Sequence, residues 1–102
     1  MIYNKLIRDK IPEMIEQNGG NAVIRQLSQE EFVRFLEMKL DEEAGEYHRD
    51  KTVEELADIL EVVYALAESI GCSREELLGT YEKKHAARGG FEKKLFLIAS
   101  EE

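Results

Sequence analysis

The sequence has no tryptophan, a single cysteine, a single proline and only two histidines. With Cys72 alone, no disulfide can close within the chain and no cysteine-based zinc spacing exists. Nothing around Cys72 marks an activated thiolate, so it reads as a packing residue. One proline and no Pro- or Ser-rich stretch argue against a linker or a disordered tail. Also missing are a glycine-rich phosphate loop and any Ser-His-Asp set. The longest apolar stretch, Ile59 to Ile70, is interrupted by Glu61 and Glu68 and is too short to span a bilayer. Met1 to Pro12 carries Lys5, Arg8, Asp9 and Lys10 without a following apolar core, so it does not read as a secretory signal. A cytoplasmic protein with no membrane partner is expected. Basic charge is short as well. Fourteen Lys and Arg face 22 Asp and Glu, for a net charge of -8 and a pI near 4.8. Such a chain repels a nucleic-acid backbone, whose affinity comes from cationic side chains on phosphates. A small phosphorylated ligand stays compatible if a divalent cation screens the carboxylates.

What is present is enough for one domain over residues 1–102. Hydrophobic residues make up 43% and charged residues 35%. A domain of this size buries a limited share of its surface, so oligomerisation is expected to steady it. Three helix starts share one pattern, a hydroxyl residue followed three positions later by glutamate: Ser28 with Glu31, Thr52 with Glu55, and Ser73 with Glu76. The first long helix is predicted from about Gln29 to His48, with Phe32, Phe35, Leu36 and Leu40 as its apolar stripe. The second is predicted from Val53 to Ile70, stopped by Gly71. Its apolar residues cover more than one face, which predicts a central helix covered on several sides. The third begins after Ser73 and ends near Arg88, before Gly89 and Gly90. A short helix over Lys10 to Gln17, with Pro12 in its first turn, precedes a turn at Asn18-Gly19-Gly20-Asn21. Ala22 to Leu27 reads as a short extended segment. The fold class is all-α: a helical bundle with short appendages at both ends.

Glu43 and Glu46 lie three residues apart on one face of the first long helix, and Glu55 and Asp58 do the same on the second. If the chain reverses in an antiparallel hairpin centred between Asp50 and Lys51, Glu43 stands level with Asp58 and Glu46 with Glu55. A three-residue step climbs about 4.5 Å, so the four carboxylates outline a compact acidic patch. Such a patch must be hydrated, protonated or neutralised by a cation, and magnesium prefers hard oxygen ligands. The competing reading is a solvated helix face, since 22 acidic residues produce coincidental pairs. A further tension sits at Glu55, whose carboxylate cannot both cap Thr52 and serve a metal. A di-iron bundle is the other carboxylate alternative. Glu82 and His85 have its Glu-x-x-His spacing, but His48 has Gly45 where the second glutamate belongs.

Asp41-Glu42-Glu43-Ala44-Gly45-Glu46-Tyr47, followed by Glu54-Glu55-Leu56-Ala57-Asp58-Ile59-Leu60-Glu61, resembles the all-α nucleoside triphosphate pyrophosphatases, the superfamily of MazG, dCTP pyrophosphatase and phosphoribosyl-ATP pyrophosphatase. Tyr3-Asn4-Lys5-Leu6-Ile7-Arg8-Asp9-Lys10-Ile11-Pro12 and Arg88-Gly89-Gly90-Phe91 are similar to the ends of a small MazG-like, house-cleaning branch. The resemblance implies a MazG-like bundle and magnesium-dependent hydrolysis of a noncanonical or surplus nucleoside triphosphate to a monophosphate and pyrophosphate, with manganese as a substitute metal. It makes Glu43, Glu46, Glu55 and Asp58 the metal ligands and catalytic carboxylates, with a water held at the site attacking the α-phosphorus. Glu42 and Glu61 flank the motif as candidates for a second metal or for orienting water. Lys5, Arg8, Lys84 and Arg88 are the candidates for holding the triphosphate. A homodimer or a dimer-based tetramer is implied too. The alternatives carried beside this reading are phosphoribosyl-ATP hydrolysis and a non-catalytic helical dimerisation module.

Overall fold

A computed structural model describes residues 1–101. The chain forms four helices: α1 (Ile11–Gln17), α2 (Gln29–Asp50), α3 (Val53–Ser69) and α4 (Arg74–Arg88). Among the described residues there is no strand, and Ala22 to Leu27 has no regular structure. No helix is long and apolar enough to cross a membrane.

The helix starts follow the hydroxyl–glutamate pattern, but not uniformly. At α2 the Ser28 hydroxyl accepts from the Glu31 N–H at 3.2 Å, and the Glu31 carboxylate accepts from the Ser28 N–H at 3.1 Å. At α4 Ser73 and Glu76 exchange the same two bonds. At α3 only half of the motif forms. The Thr52 hydroxyl accepts from the Glu55 N–H at 3.4 Å, while the Glu55 carboxylate is directed elsewhere. The tension at Glu55 is thus resolved away from capping.

Helix α2 runs two residues past the predicted end at His48. It has no glycine to stop it, and Lys51 closes it by taking the left-handed conformation at φ 51°, its N–H donating to the Tyr47 carbonyl at 2.8 Å. Only Lys51 and Thr52 then separate α2 from α3. Helix α3 ends in a Schellman turn: the Gly71 and Cys72 N–H groups reach back to the Glu68 and Ala67 carbonyls, with Gly71 at φ 80°. Just beyond, the Arg74 guanidinium lies 3.9 Å from the Tyr64 ring centre and ties the start of α4 to α3.

The packing rests on α2 against α3, where Leu36, Val62 and Ala67 are buried. Helix α4 touches only α3. The expectation that α3 is covered on several sides is not met within one chain: Val53, Leu56, Leu60 and Ile70 are all exposed. One long neighbour can cover one face of a helix that is apolar on more than one. The molecule is correspondingly elongated, 61 × 32 × 21 Å, with a radius of gyration of 18.1 Å. Every residue from Tyr81 to Glu101 is exposed.

The two closed capping motifs carry more of the helix stability than the half-formed one. Ser28→Ala or Ser73→Ala should each lower unfolding free energy by about 1 kcal/mol, and Thr52→Ala by less, as read from urea unfolding followed by circular dichroism.

Candidate metal centre

Helix α2 presents Glu42, Glu43 and Glu46 within one turn, and the first turns of α3 present Glu55 and Asp58. The packing of α2 on α3 brings these together. Carboxylate oxygens of Glu43, Glu55 and Asp58 lie within 4.8 Å of one another, and so do those of Glu42, Glu43 and Glu46. Glu43 belongs to both groups and is the only buried charged residue among those described, 7% exposed. Three of the four carboxylates singled out from the sequence, Glu43, Glu55 and Asp58, thus form one group, and Glu46 joins Glu43 in the other, together with Glu42.

The electrostatics follow from that crowding. Burial, foremost, raises the Glu43 carboxyl above its ordinary range; proximity to Glu46 and the charge of Asp58 add to the rise, and Lys39 opposes it. Glu55 is raised by desolvation first, then by the negative charges of Glu46, Asp50 and Asp58. Two buried oxygens, Glu43 Oε2 and Glu55 Oε2, have no hydrogen-bond partner. Buried carboxylate oxygens without donors are costly unless something positive meets them.

Cations of the chain already meet part of the cluster. Lys39 Nζ lies 3.5 Å from Glu43 Oε1 and 3.4 Å from Glu42 Oε1. Arg8 donates from Nη1 to Asp58 Oδ1 at 3.0 Å and from Nη2 to Glu61 Oε1 at 3.3 Å. Of the candidate substrate-binding residues, Arg8 thus reaches the cluster directly. Lys5 instead sits 5.6 Å from the Tyr3 ring centre. Lys84 and Arg88 line a shallow pocket with Tyr81, His85 and Phe91, and among the described residues neither pairs with the acidic cluster. Lys39 was not singled out from the sequence, although its place four residues before Glu43 was the available signal.

An all-oxygen donor set with two unpartnered buried oxygens fits a hard cation, and the cluster can hold a metal ion. Comparison with known proteins adds little to this geometry. No family model matches the chain, and no solved structure matches it. An uncharacterized protein of Mycolicibacterium smegmatis (strain ATCC 700084 / mc(2)155) is 50% identical over 42 residues, 41% of this chain and 43% of that protein. The chain therefore matches less than half the length of that relative.

The raised carboxyls set a sign for pH dependence. Both carboxyls bind a proton more tightly in the folded state than in the unfolded chain, so this cluster's contribution to stability is full below the ordinary value of 4.5 and declines as pH rises past it. Glu31, lowered to about 2 by its hydrogen bond from Arg25, acts in the opposite sense and below that window. In metal-free buffer the thermal midpoint should therefore fall, through this cluster, as pH rises above about 4.5, and Glu43→Gln should flatten the decline.

Proposed function

We propose that the chain is a magnesium-dependent nucleotide pyrophosphohydrolase that cleaves a nucleoside triphosphate, noncanonical or surplus, to the nucleoside monophosphate and pyrophosphate. The observation that carries this reading is Glu43: a nearly fully buried carboxylate with an unpartnered oxygen, within 4.8 Å of Glu55 and Asp58 on the next helix. The likeness of the two acidic motifs and both chain ends to the MazG-like pyrophosphatases supports the reaction class. On this reading α2 and α3 are the antiparallel pair of a MazG-like bundle.

Glu43, Glu46, Glu55 and Asp58 would hold the magnesium, or manganese in its place. When bound, it supplies positive charge that screens the triphosphate and stabilises the leaving oxygens. The chain's own groups do the rest. Water attacks the α-phosphorus; its oxygen–phosphorus bond forms as the bond from that phosphorus to the bridging oxygen breaks, and pyrophosphate leaves. Glu55, whose carboxylate keeps an unpartnered oxygen beside the cluster, would be placed to take the proton from the attacking water. Arg8 is half-free, its guanidinium held by two exposed carboxylates that a triphosphate can outcompete. Lys5, Lys84 and Arg88 are further phosphate contacts in this proposal. Positioning and charge supply the catalysis, without a covalent intermediate.

Purified protein incubated with magnesium and a panel of nucleotides, phosphoribosyl-ATP included, should release monophosphate and pyrophosphate from at least one. A folded protein that turns over none of them overturns the proposal. Glu46→Ala and Asp58→Ala should each lower kcat/KM by at least about a hundredfold with helical content intact, beyond the effect of removing a group that only supports a ligand. Arg8→Ala should raise KM for the nucleotide roughly two- to fivefold, the scale of an exposed ion pair, and should not weaken affinity for the metal alone, measured calorimetrically.

A further inference from the structure

Glu43 is shared by two groups of converging carboxylates, Glu42–Glu43–Glu46 along α2 and Glu43–Glu55–Asp58 across the helix pair. A carboxylate has two oxygens and can serve a different cation with each. The two oxygens of Glu43 are differently placed. Oε1 lies 3.5 Å from the Lys39 ammonium, whereas Oε2 is buried without a hydrogen-bond partner, on a residue only 7% exposed. Among the described residues the other such oxygen, Glu55 Oε2, also belongs to the group across the helix pair. The unmet demand for positive charge therefore lies there. The group along α2 already has a cation, since Lys39 Nζ also donates to Glu42 Oε1 at 3.4 Å.

Lys39 differs from an ordinary surface partner. Its side chain is 17% exposed, against 59% for Arg8, which grips Asp58 and Glu61. A lysine placed four residues before a glutamate is the weaker order for stabilising a helix, and sequestering an ammonium costs hydration that a surface pair keeps. Helix stabilisation alone does not account for its position. Carried on α2 one turn before Glu42 and Glu43, the ammonium need not be captured from solution. At contact distance from both acids it also repels any second cation that approaches them.

We propose that Lys39 takes the place of a second metal ion: its ammonium fills the Glu42–Glu43 edge, so the chain holds one divalent cation of its own, at the group formed by Glu43, Glu55 and Asp58 with Glu46 beside it. Glu42 is then the partner of Lys39 and not a metal ligand. Glu61 is engaged in the same way by Arg8, so both carboxylates that flank the four proposed ligands are held by side chains of the protein. The inference rests on the metal-binding part of the proposed function and does not depend on which nucleotide is cleaved.

The test titrates the full chain with manganese(II) alone, without nucleotide, by calorimetry and electron paramagnetic resonance. The parent should take one ion per chain, with the spectrum of isolated manganese. Lys39→Met keeps the apolar stem and removes the charge; it should take two ions per chain, and their sharing of Glu43 should appear as a spin-coupled spectrum. Lys39→Gln, a second neutral variant, should do the same, while Lys39→Arg, which keeps the charge, should stay at one. Glu42→Gln alone should leave the count at one, and combined with Lys39→Met it should bring the count back from two to one. Two ions in the parent, no second ion in either neutral variant with helical content retained, or a second ion admitted by Lys39→Arg overturns the role of Lys39 and leaves the metal site standing. A folded parent that binds no manganese overturns the metal site itself, and the role of Lys39 with it.

Discussion

Mutual repulsion among the carboxylates of Glu43, Glu55 and Asp58 is the constraint around which the rest of the molecule is arranged. The two longest helices pack where both are most acidic, with one of the carboxyls buried. Each acid at that junction is met by a different compensation. Lys39 meets Glu43 from one turn away, Arg8 meets Asp58 from the N-terminal segment, and a raised proton affinity accounts for what remains on Glu43 and Glu55. No single one of these suffices, because two buried oxygens stay without a donor.

This arrangement also gives the N-terminal segment a place. Arg8 is 50 positions from Asp58 and 53 from Glu61, so its two-pronged reach fixes the segment before α1 against α3. Both carboxylates are substantially exposed, and such pairs are weak in water. The segment is therefore fastened by a contact that a more highly charged ligand can replace, whereas Lys39, largely sequestered with Glu43, is part of the permanent wall.

Much of this was legible in the sequence because its causes are local. Hydroxyl–glutamate spacing located all three long helices, Gly71 and Gly89 marked two helix ends, and the motif singled out Glu43, Glu55 and Asp58, which the packing of α2 on α3 brings together. What was not legible depends on competition or on partners. Glu55 had two eligible roles, and spacing does not rank them; the structure leaves its carboxylate out of the cap. The end of α2 lay beyond its predicted position because a left-handed lysine stops a helix without any compositional signal. The apolar breadth of α3 was visible, but periodicity says that a face avoids water, not which surface will cover it. Lys39 escaped notice for a related reason: a lysine beside a glutamate on a helix is common, and only burial distinguishes this one.

The link of Lys51 and Thr52 is short and conformationally specific. Each residue of a helix turns the next by about 100°, so the link works as a phase setting between two rotating rows of side chains. Inserting one residue there would turn α3 as a unit, swinging Glu55 and Asp58 away from Glu43 and carrying Val62 and Ala67 off the face packed on α2. Repulsion would be relieved, but the apolar packing and the convergence of the oxygens would be lost together. Length variation is tolerated in most surface loops. At this two-residue link, evolution of a longer connection would be evolution away from a shared carboxylate site.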